Sequence, residues 1–146
     1  MYTMIEINVD KIAQEVISGL KATMKLKDRN ATGRTSASLF SEFDSGNMVL
    51  NIMGAKQWQY VEQGREPGKQ PPLNRIIEWC VARGIPKEAA FPIARKIGQV
   101  GAPKDKSKLG VVEDTIKAVE PFILKELDKQ AQASFEATIG KQWQSL

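Results

Sequence analysis

The sequence contains no histidine and only one cysteine among its 146 residues. Without histidine, the chain lacks the commonest general base and the commonest protein ligand for metals. The single cysteine, Cys80, excludes a disulfide within the chain and suits folding in a reducing cytoplasm. We therefore predict no catalytic site, no metal site and no cofactor.

Two kinds of apolar segment are also missing. No apolar run approaches the roughly 20 residues that a membrane-spanning helix needs, so no membrane association is expected. Residues 1–6 do not show the basic and then apolar pattern of a signal peptide.

The composition is that of an ordinary globular domain. Hydrophobic residues make up 42% and charged residues 26% of the chain, and the length predicts a single domain over residues 1–146. The formal net charge of +4 permits contact with nucleic acid or with an acidic protein surface without requiring either.

The first part of the chain predicts a helix followed by a β-hairpin. Apolar residues recur with a helical period after Val9, and turn-forming residues separate two strand-like runs. The predicted elements are a helix at Val9–Lys27, a short helical turn at Thr35–Ser38, strands at Leu39–Phe43 and Met48–Met53, and a short helix or turn at Ala55–Gln63. Because an isolated hairpin is only marginally stable, we expect this one to pack on the helices or to pair with a neighbour.

The strongest helix signal lies between Leu73 and Ala82. Leu73, Ile76, Ile77 and Cys80 fall at i, i+3, i+4 and i+7 and therefore share one face. Two prolines precede this segment and Gly84 follows it, as is typical of helix starts and ends. We predict that Ile76, Ile77 and Cys80 are buried and that the Cys80 thiol is inert.

The second part of the chain predicts a helix around Pro92, a loop and a long final helix. The loop, Gly101–Gly110, has few apolar residues and three lysines, so we expect it to be flexible. The final helix is predicted from Val112 to about Ile139, with a kink or a break at Pro121. Residues 140–146 are predicted to form a loose tail.

The region from Tyr60 to Gly101 carries several short motifs. They are Tyr60-Val61-Glu62-Gln63-Gly64, a Gly/Pro loop, Pro71-Pro72-Leu73 with Ile76-Ile77 and Trp79, and Ala90-Phe91-Pro92-Ile93-Ala94-Arg95-Lys96-Ile97 before Gly101. With the earlier Ala31-Thr32-Gly33-Arg34, this pattern resembles the tail-component family of long-tailed bacteriophages, which are small neck or tail-completion proteins of the head–tail junction. The resemblance covers about half of the chain, roughly residues 30–101, and consists of turns and core positions.

The resemblance implies a structural role in the virion. A protein of this family would be made in the host bacterial cytoplasm and would form a ring, a hexamer or a dodecamer, around the DNA channel. Its partners would be further copies of itself, other phage neck and tail proteins, and genomic DNA bound without sequence specificity. The exposed loop after Tyr60 is our candidate subunit interface, through Arg65, Glu66, Lys69 and Gln70.

A basic segment runs from Arg83 to Lys108, with seven basic and two acidic residues. The candidates for a DNA-facing or partner-facing surface are Arg95, Lys96, Lys104, Lys106 and Lys108. A solvated face is the alternative interpretation of this segment. Glu62 and Arg65 are spaced to form an exposed ion pair, which would be structural rather than catalytic. Trp58, Tyr60 and Trp79 suit packing in a core or an interface, with nucleic-acid stacking as the alternative.

The sequence as a whole predicts an α+β fold with an N-terminal helix, a β-hairpin, two central helices and a long kinked C-terminal helix. The predicted function is that of a ring-forming neck subunit, and the alternative is a small basic nucleic-acid-binding protein. An enzyme is the least favoured class.

Overall fold

Two long helices near the ends of the chain frame the structure, and a β-hairpin and four shorter helices lie between them. The computed structural model describes residues 7–144, apart from the side chain of Gln142. The elements are α1 (Val9–Leu26), α2 (Arg34–Ala37), β1 (Phe40–Asp44), β2 (Val49–Met53), α3 (Trp58–Gln63), α4 (Leu73–Ala82), α5 (Ala90–Val100) and α6 (Val111–Gln144), with short 3₁₀ turns at Lys87–Ala89 and Lys106–Lys108. This arrangement confirms the predicted α+β class.

The helix α1 begins where its sequence predicts. The Asn8 side chain accepts a hydrogen bond from the backbone N–H of Asp10 at 3.1 Å, which caps the first turn. The buried residues of α1 lie on one helical face; they are Ile12, Ala13, Leu20 and Met24. This face packs on α6 and on the hairpin.

The helices α1 and α6 run antiparallel, and a glycine brings them close together. A Cβ atom on Gly19 would lie only 2.9 Å from methyl carbons of both Thr115 and Val119. The buried Thr115 hydroxyl lies 2.7 Å from the Val111 carbonyl oxygen and 2.8 Å from the Thr23 hydroxyl. The Thr115 hydroxyl group is therefore fully hydrogen-bonded between the two helices.

The helix α6 continues through its internal proline. It contains 34 residues with Pro121 inside it, so the predicted alternative of a break is wrong, whereas a kink stays a prediction. Residues 140–144 are helical, and the looseness of the C-terminal tail stays a prediction. Residues 145 and 146 lie outside the described part of the chain.

The hairpin has one face on the core and one face in solvent. Phe40 pairs with Met53 and Asp44 with Val49 in an antiparallel register. Ile52 packs against a buried cluster of Leu20, Met24, Val61 and Val111, whereas the opposite face exposes Phe40, Val49 and Met53. Both strands begin one residue later than predicted.

The apolar face of α4 is only partly covered. The helix has the predicted bounds, Gly84 follows it with a positive φ, and Cys80 is fully buried. However, Leu73 is 43% exposed, and Ile76 and Ile77 are only half-buried. The predicted burial is therefore confirmed for Cys80 and wrong for Ile76 and Ile77. Ile76 is not fully covered because it borders an open cavity.

The close approach at Gly19 generates a stability prediction. Gly19→Ala should lower the free energy of unfolding by about 1–3 kcal/mol, because the new methyl group would overlap Thr115 and Val119. Gly140→Ala is the matched control, since Gly140 is also helical and a Cβ added to it would meet no neighbour within 4 Å. It should be neutral or stabilising by up to about 1 kcal/mol. Urea unfolding of both variants checks this, and equal effects would contradict the tight crossing.

Candidate functional site

A cavity opens between the segment after α1, the helices α2 to α5, and the loop after Gly101. Its volume is about 770 Å³, and we call it the groove. Apolar and aromatic side chains line much of it: Tyr60, Val61, Pro71, Ile76, Trp79, Ile93, Ile97 and Pro103. A concave apolar surface of this size is typical of binding sites.

Charged residues of mostly one sign line the groove as well. Seven of them are basic, namely Arg29, Arg34, Lys56, Arg65, Arg75, Arg83 and Lys108, and two are acidic, namely Asp28 and Glu78. The groove is therefore strongly positive, although the whole chain carries only +4. Such a concave basic surface attracts anionic groups.

Four of the seven cations share the two carboxylates. Glu78 is 2.9 Å from Arg34 and 3.6 Å from Arg75. Asp28 is 2.8 Å from Arg83 and 3.4 Å from Lys108. Each carboxylate therefore faces two cations and leaves one positive charge uncompensated.

The three remaining cations of the groove have no carboxylate partner in the described part of the chain. Arg29 is half-buried, donates a hydrogen bond to the Tyr60 carbonyl at 2.9 Å, and has its pKa lowered by burial. Arg65 stacks over the Tyr60 ring, 4.3 Å from its centre. Lys56 is exposed. Partly desolvated cations such as Arg29 favour an added anion, because buried charges are most stable when paired.

The predicted interface residues divide between the groove and the surface. Arg65 lines the groove, whereas Glu66, Lys69 and Gln70 are exposed outside it. Arg65 and Ala102 exchange backbone hydrogen bonds of 2.6 and 2.9 Å, which fixes the start of this loop. Gly98 allows the close approach at the other end, since a Cβ there would lie 2.7 Å from Gln70.

The predicted basic candidates also separate. Arg95, Lys96, Lys104 and Lys106 lie outside the groove and form no ion pair with a described residue, whereas Lys108 lines the groove beside Asp28. Of the residues predicted to face DNA or a partner, only Lys108 lines the same groove as Arg65.

The loop from Gly101 to Gly110 has more anchoring contacts than its sequence suggests. Lys27 donates hydrogen bonds to the carbonyls of Ser107 at 3.0 Å and Leu109 at 2.8 Å, and Asp105 accepts from the Ser107 N–H at 3.0 Å. The local sequence gives no sign of these contacts with the end of α1, since Lys27 lies about eighty residues away. The flexibility of the loop stays a prediction.

Glu62 has a different role from the predicted ion pair with Arg65. Its carboxylate accepts hydrogen bonds from the backbone N–H groups of Val112 at 2.7 Å and Glu113 at 3.3 Å. Glu62 therefore caps the start of α6, where a negative charge is favourable, and Arg65 stacks on Tyr60 instead.

The aromatic candidates differ in their surroundings. Trp58 packs against the buried cluster, and its indole N–H donates to the Thr35 carbonyl at 3.2 Å. Trp79 and Tyr60 border the groove, and Arg83 lies over the Trp79 ring, 5.5 Å from its centre. Trp58 is thus a packing residue, and the other two form part of the groove wall.

Sequence reasoning missed most of the basic groove residues. Arg75, Trp79 and Arg83 stand at i, i+4 and i+8 and could have been recognised as one row along α4 and its C-cap. Arg29, Arg34 and Lys56 come from separate segments, and no local pattern joins them to that row.

Within residues 7–144, no group of three or more acidic or cysteine side chains is placed to hold a metal ion. No helix in the same range is long and apolar enough to cross a membrane. Comparison of the chain with protein-family models, with curated proteins and with solved structures finds no match. The resemblance to phage neck proteins therefore stays a prediction.

The contacts of Asp28 generate a prediction about pH. Hydrogen bonding from Arg83 is the largest cause of the lowered pKa of Asp28. A carboxyl group with a lowered pKa stabilises the fold above its unfolded pKa of about 3.9 and loses this contribution as the pH falls through the folded value. Asp28→Asn should therefore be less stable than the wild type at pH 7, and the difference should shrink below about pH 4.

Asparagine suits this test because Asp28 has a positive φ of 56°, which asparagine tolerates. Thermal unfolding between pH 3 and 8 measures the difference between the two proteins. Glu88→Gln is the control, because Glu88 is exposed and forms no ion pair with another described residue. A difference that stays constant over the whole pH range would rule out a role for the Asp28 charge.

Proposed function

We propose that this chain is a structural subunit of the neck of a long-tailed bacteriophage. In this role it forms a ring at the head–tail junction, around the channel for the genome, and contacts other neck and tail proteins. The sequence resemblance over roughly residues 30–101 motivates the proposal. The observation that carries it is the presence of two separate, exposed apolar surfaces on one small chain.

The first surface is the outer face of the hairpin. Phe40, Val49 and Met53 lie on it, and Met48 is exposed in the adjacent turn. Within residues 7–144 the sheet consists of β1 and β2, so the outer edge of each strand is unpaired there. Exposed strand edges and apolar faces favour association with another protein.

The second surface is the C-terminal half of α6. Phe135, Ile139 and Trp143 occur at i, i+4 and i+8 and share one side of the helix. Phe135 is 60% exposed and Trp143 is 72% exposed. A soluble monomer rarely exposes apolar residues in such a row, so this face suits a neighbouring protein.

Two different surfaces on one subunit are what a ring requires. In a head-to-tail ring each subunit uses one patch for the preceding copy and another for the following copy. A third surface is then needed for the next component of the neck. The hairpin, the groove and the end of α6 offer three distinct surfaces on one chain.

Particle assembly tests the proposed function. A double variant, Phe135→Ser with Trp143→Ser, should fold with wild-type stability, since both side chains are exposed, but should not be incorporated into particles. Phe91→Ser is the matched control, because Phe91 is 58% exposed on α5. Images of wild-type particles should place several copies of the chain at the head–tail junction. A single copy per particle, or a position elsewhere, would refute the proposal.

The cations on α5 and the following loop favour nucleic-acid binding as the second candidate function. Arg95, Lys96, Lys104 and Lys106 have no carboxylate partner in the described chain. Phosphate contacts of this kind carry no sequence information. They would suit either a channel wall or a small DNA-binding protein.

Reversal of two loop charges separates these functions. Lys104→Glu with Lys106→Glu should leave folding intact and, for a neck subunit, reduce DNA retention in assembled particles. If the isolated protein is itself a DNA-binding protein, the same change should weaken its DNA affinity and lower the salt slope by about one per lysine. Lys21→Glu with Lys87→Glu, both at exposed positions, controls for the same change in net charge. Particles of normal infectivity from the double variant would leave the loop as a solvated linker.

A further inference from the structure

We propose that the β-hairpin of one copy docks in the groove of a second copy. The contact would be head-to-tail, because the hairpin and the groove are different surfaces of the same chain. The inference rests on the proposed function, since repeated head-to-tail contacts are what close a ring.

The charges of the two surfaces are opposite. Residues 40–53, from the start of β1 to the end of β2, include Glu42 and Asp44 and contain no lysine or arginine. The groove is lined by seven basic and two acidic residues. Complementary charges of this kind orient two surfaces and exclude the reverse pairings, hairpin on hairpin and groove on groove.

The free carboxylate of the hairpin matches the unpaired cations of the groove. Asp44 is occupied within the turn, where it accepts hydrogen bonds from Gly46 and Asn47. Glu42 is exposed, lies on the outer face between Phe40 and Asp44, and forms no ion pair with a described residue. In the docked state it would neutralise the groove cations that lack a carboxylate, which are the exposed Lys56 and the half-buried Arg65 and Arg29.

The apolar groups also match. The outer face of the hairpin presents Phe40, Val49 and Met53, and the groove offers Ile76, Ile93 and Ile97 beside its aromatic side chains. A cavity of about 770 Å³ falls within the range of about 300–1,000 Å³ that is usual for ligand sites. Docking would remove both apolar surfaces from water together.

The hairpin is held away from the groove of its own chain. Its base is fixed by a hydrogen bond from the Ala55 N–H to the Ser38 hydroxyl at 3.0 Å and by the Trp58 contact with the Thr35 carbonyl. Its inner face is packed on the core through Ile52, and none of residues 40–53 lines the groove. A second copy can therefore occupy the groove without a change in either subunit's fold.

Mixing two variants of the full chain tests the contact. The hairpin variant carries Phe40→Ser and Glu42→Lys and keeps an intact groove. The groove variant carries Lys56→Glu and Arg65→Glu and keeps an intact hairpin. Lys21→Glu with Lys87→Glu is the matched charge control for the groove variant, and Glu88→Lys is the control for the hairpin variant. All three positions are exposed, and none of them lines the groove.

Sedimentation and native mass spectrometry would measure association over a range of concentrations. We expect each variant alone to associate at least 10-fold more weakly than the wild type, and the controls to match the wild type. An equimolar mixture should give a one-to-one dimer and nothing larger, because only one hairpin and one complementary groove remain intact. A chain that combines Glu42→Lys with Lys56→Glu and Arg65→Glu should recover part of the association.

Disulfide trapping applies the same test inside assembled particles. Glu42→Cys in one chain and Lys56→Cys in another should form an interchain bond, whereas Glu88→Cys paired with Lys56→Cys should not. The native Cys80 is fully buried and does not compete. The absence of this bond, together with wild-type assembly of the hairpin variant, would overturn the proposal.

Other outcomes identify a different occupant or separate this contact from the proposed function. Self-association of the groove variant at wild-type strength would indicate a contact that does not use the groove, through the hairpin or the end of α6, and would refute docking. Docking would also be refuted if the groove variant lost single-stranded DNA binding but kept wild-type self-association, because the groove would then bind nucleic acid.

A ring at the head–tail junction that still incorporates the hairpin variant would leave the neck function standing and refute this contact. A mixed dimer from a chain that is absent from the junction would support the contact and refute the neck function.

Discussion

The packing of α1 against α6 is the contact on which the rest of the structure depends. Gly19 lets the two helices approach, and Thr115 satisfies its hydroxyl between them without a charged group. Lys11 and Glu126 add an ion pair of 3.2 Å further along the pair. The buried cluster around Leu20, Met24 and Val111 lies toward the other end of the same pair. The hairpin and α3 therefore have a core to pack on only because these two helices meet.

A second set of contacts joins the groove to this frame. Glu62, at the end of α3, caps the start of α6, and Lys27, just after α1, forms an ion pair with Asp114 and holds the loop before α6. These polar contacts converge where α1 ends and α6 begins. They fix α3 and the loop from Gly101 to Gly110, which supply Tyr60, Pro103 and Lys108 to the groove. The shape of the groove therefore depends on the packing of α1 against α6, and not only on the residues that line the groove.

The sequence predicts the positions of the helices and strands well. It does not predict which other parts of the chain cover their apolar faces. The bounds of α4 are predictable because prolines, a terminal glycine and the apolar period all act within one segment. The same period identifies the face shared by Ile76 and Cys80, but it does not tell whether another element covers that face. Glu62 illustrates the same limit, since its partners are fifty residues away. The groove combines residues from several distant segments, so no local pattern could reveal it.

The exposed hairpin links folding to association. A two-stranded sheet is marginally stable alone, and this one is supported by the core on a single face. The turn is held by hydrogen bonds from Asn47 and Gly46 to Asp44. The bond from the Asn47 side chain is the largest cause of the lowered pKa of Asp44. The hairpin is therefore formed in the single chain, and its exposed face would need no refolding to bind a partner. Covering that face would bury apolar area and favour the same strand pairing that the monomer already has, so assembly would stabilise the subunit rather than reorganise it.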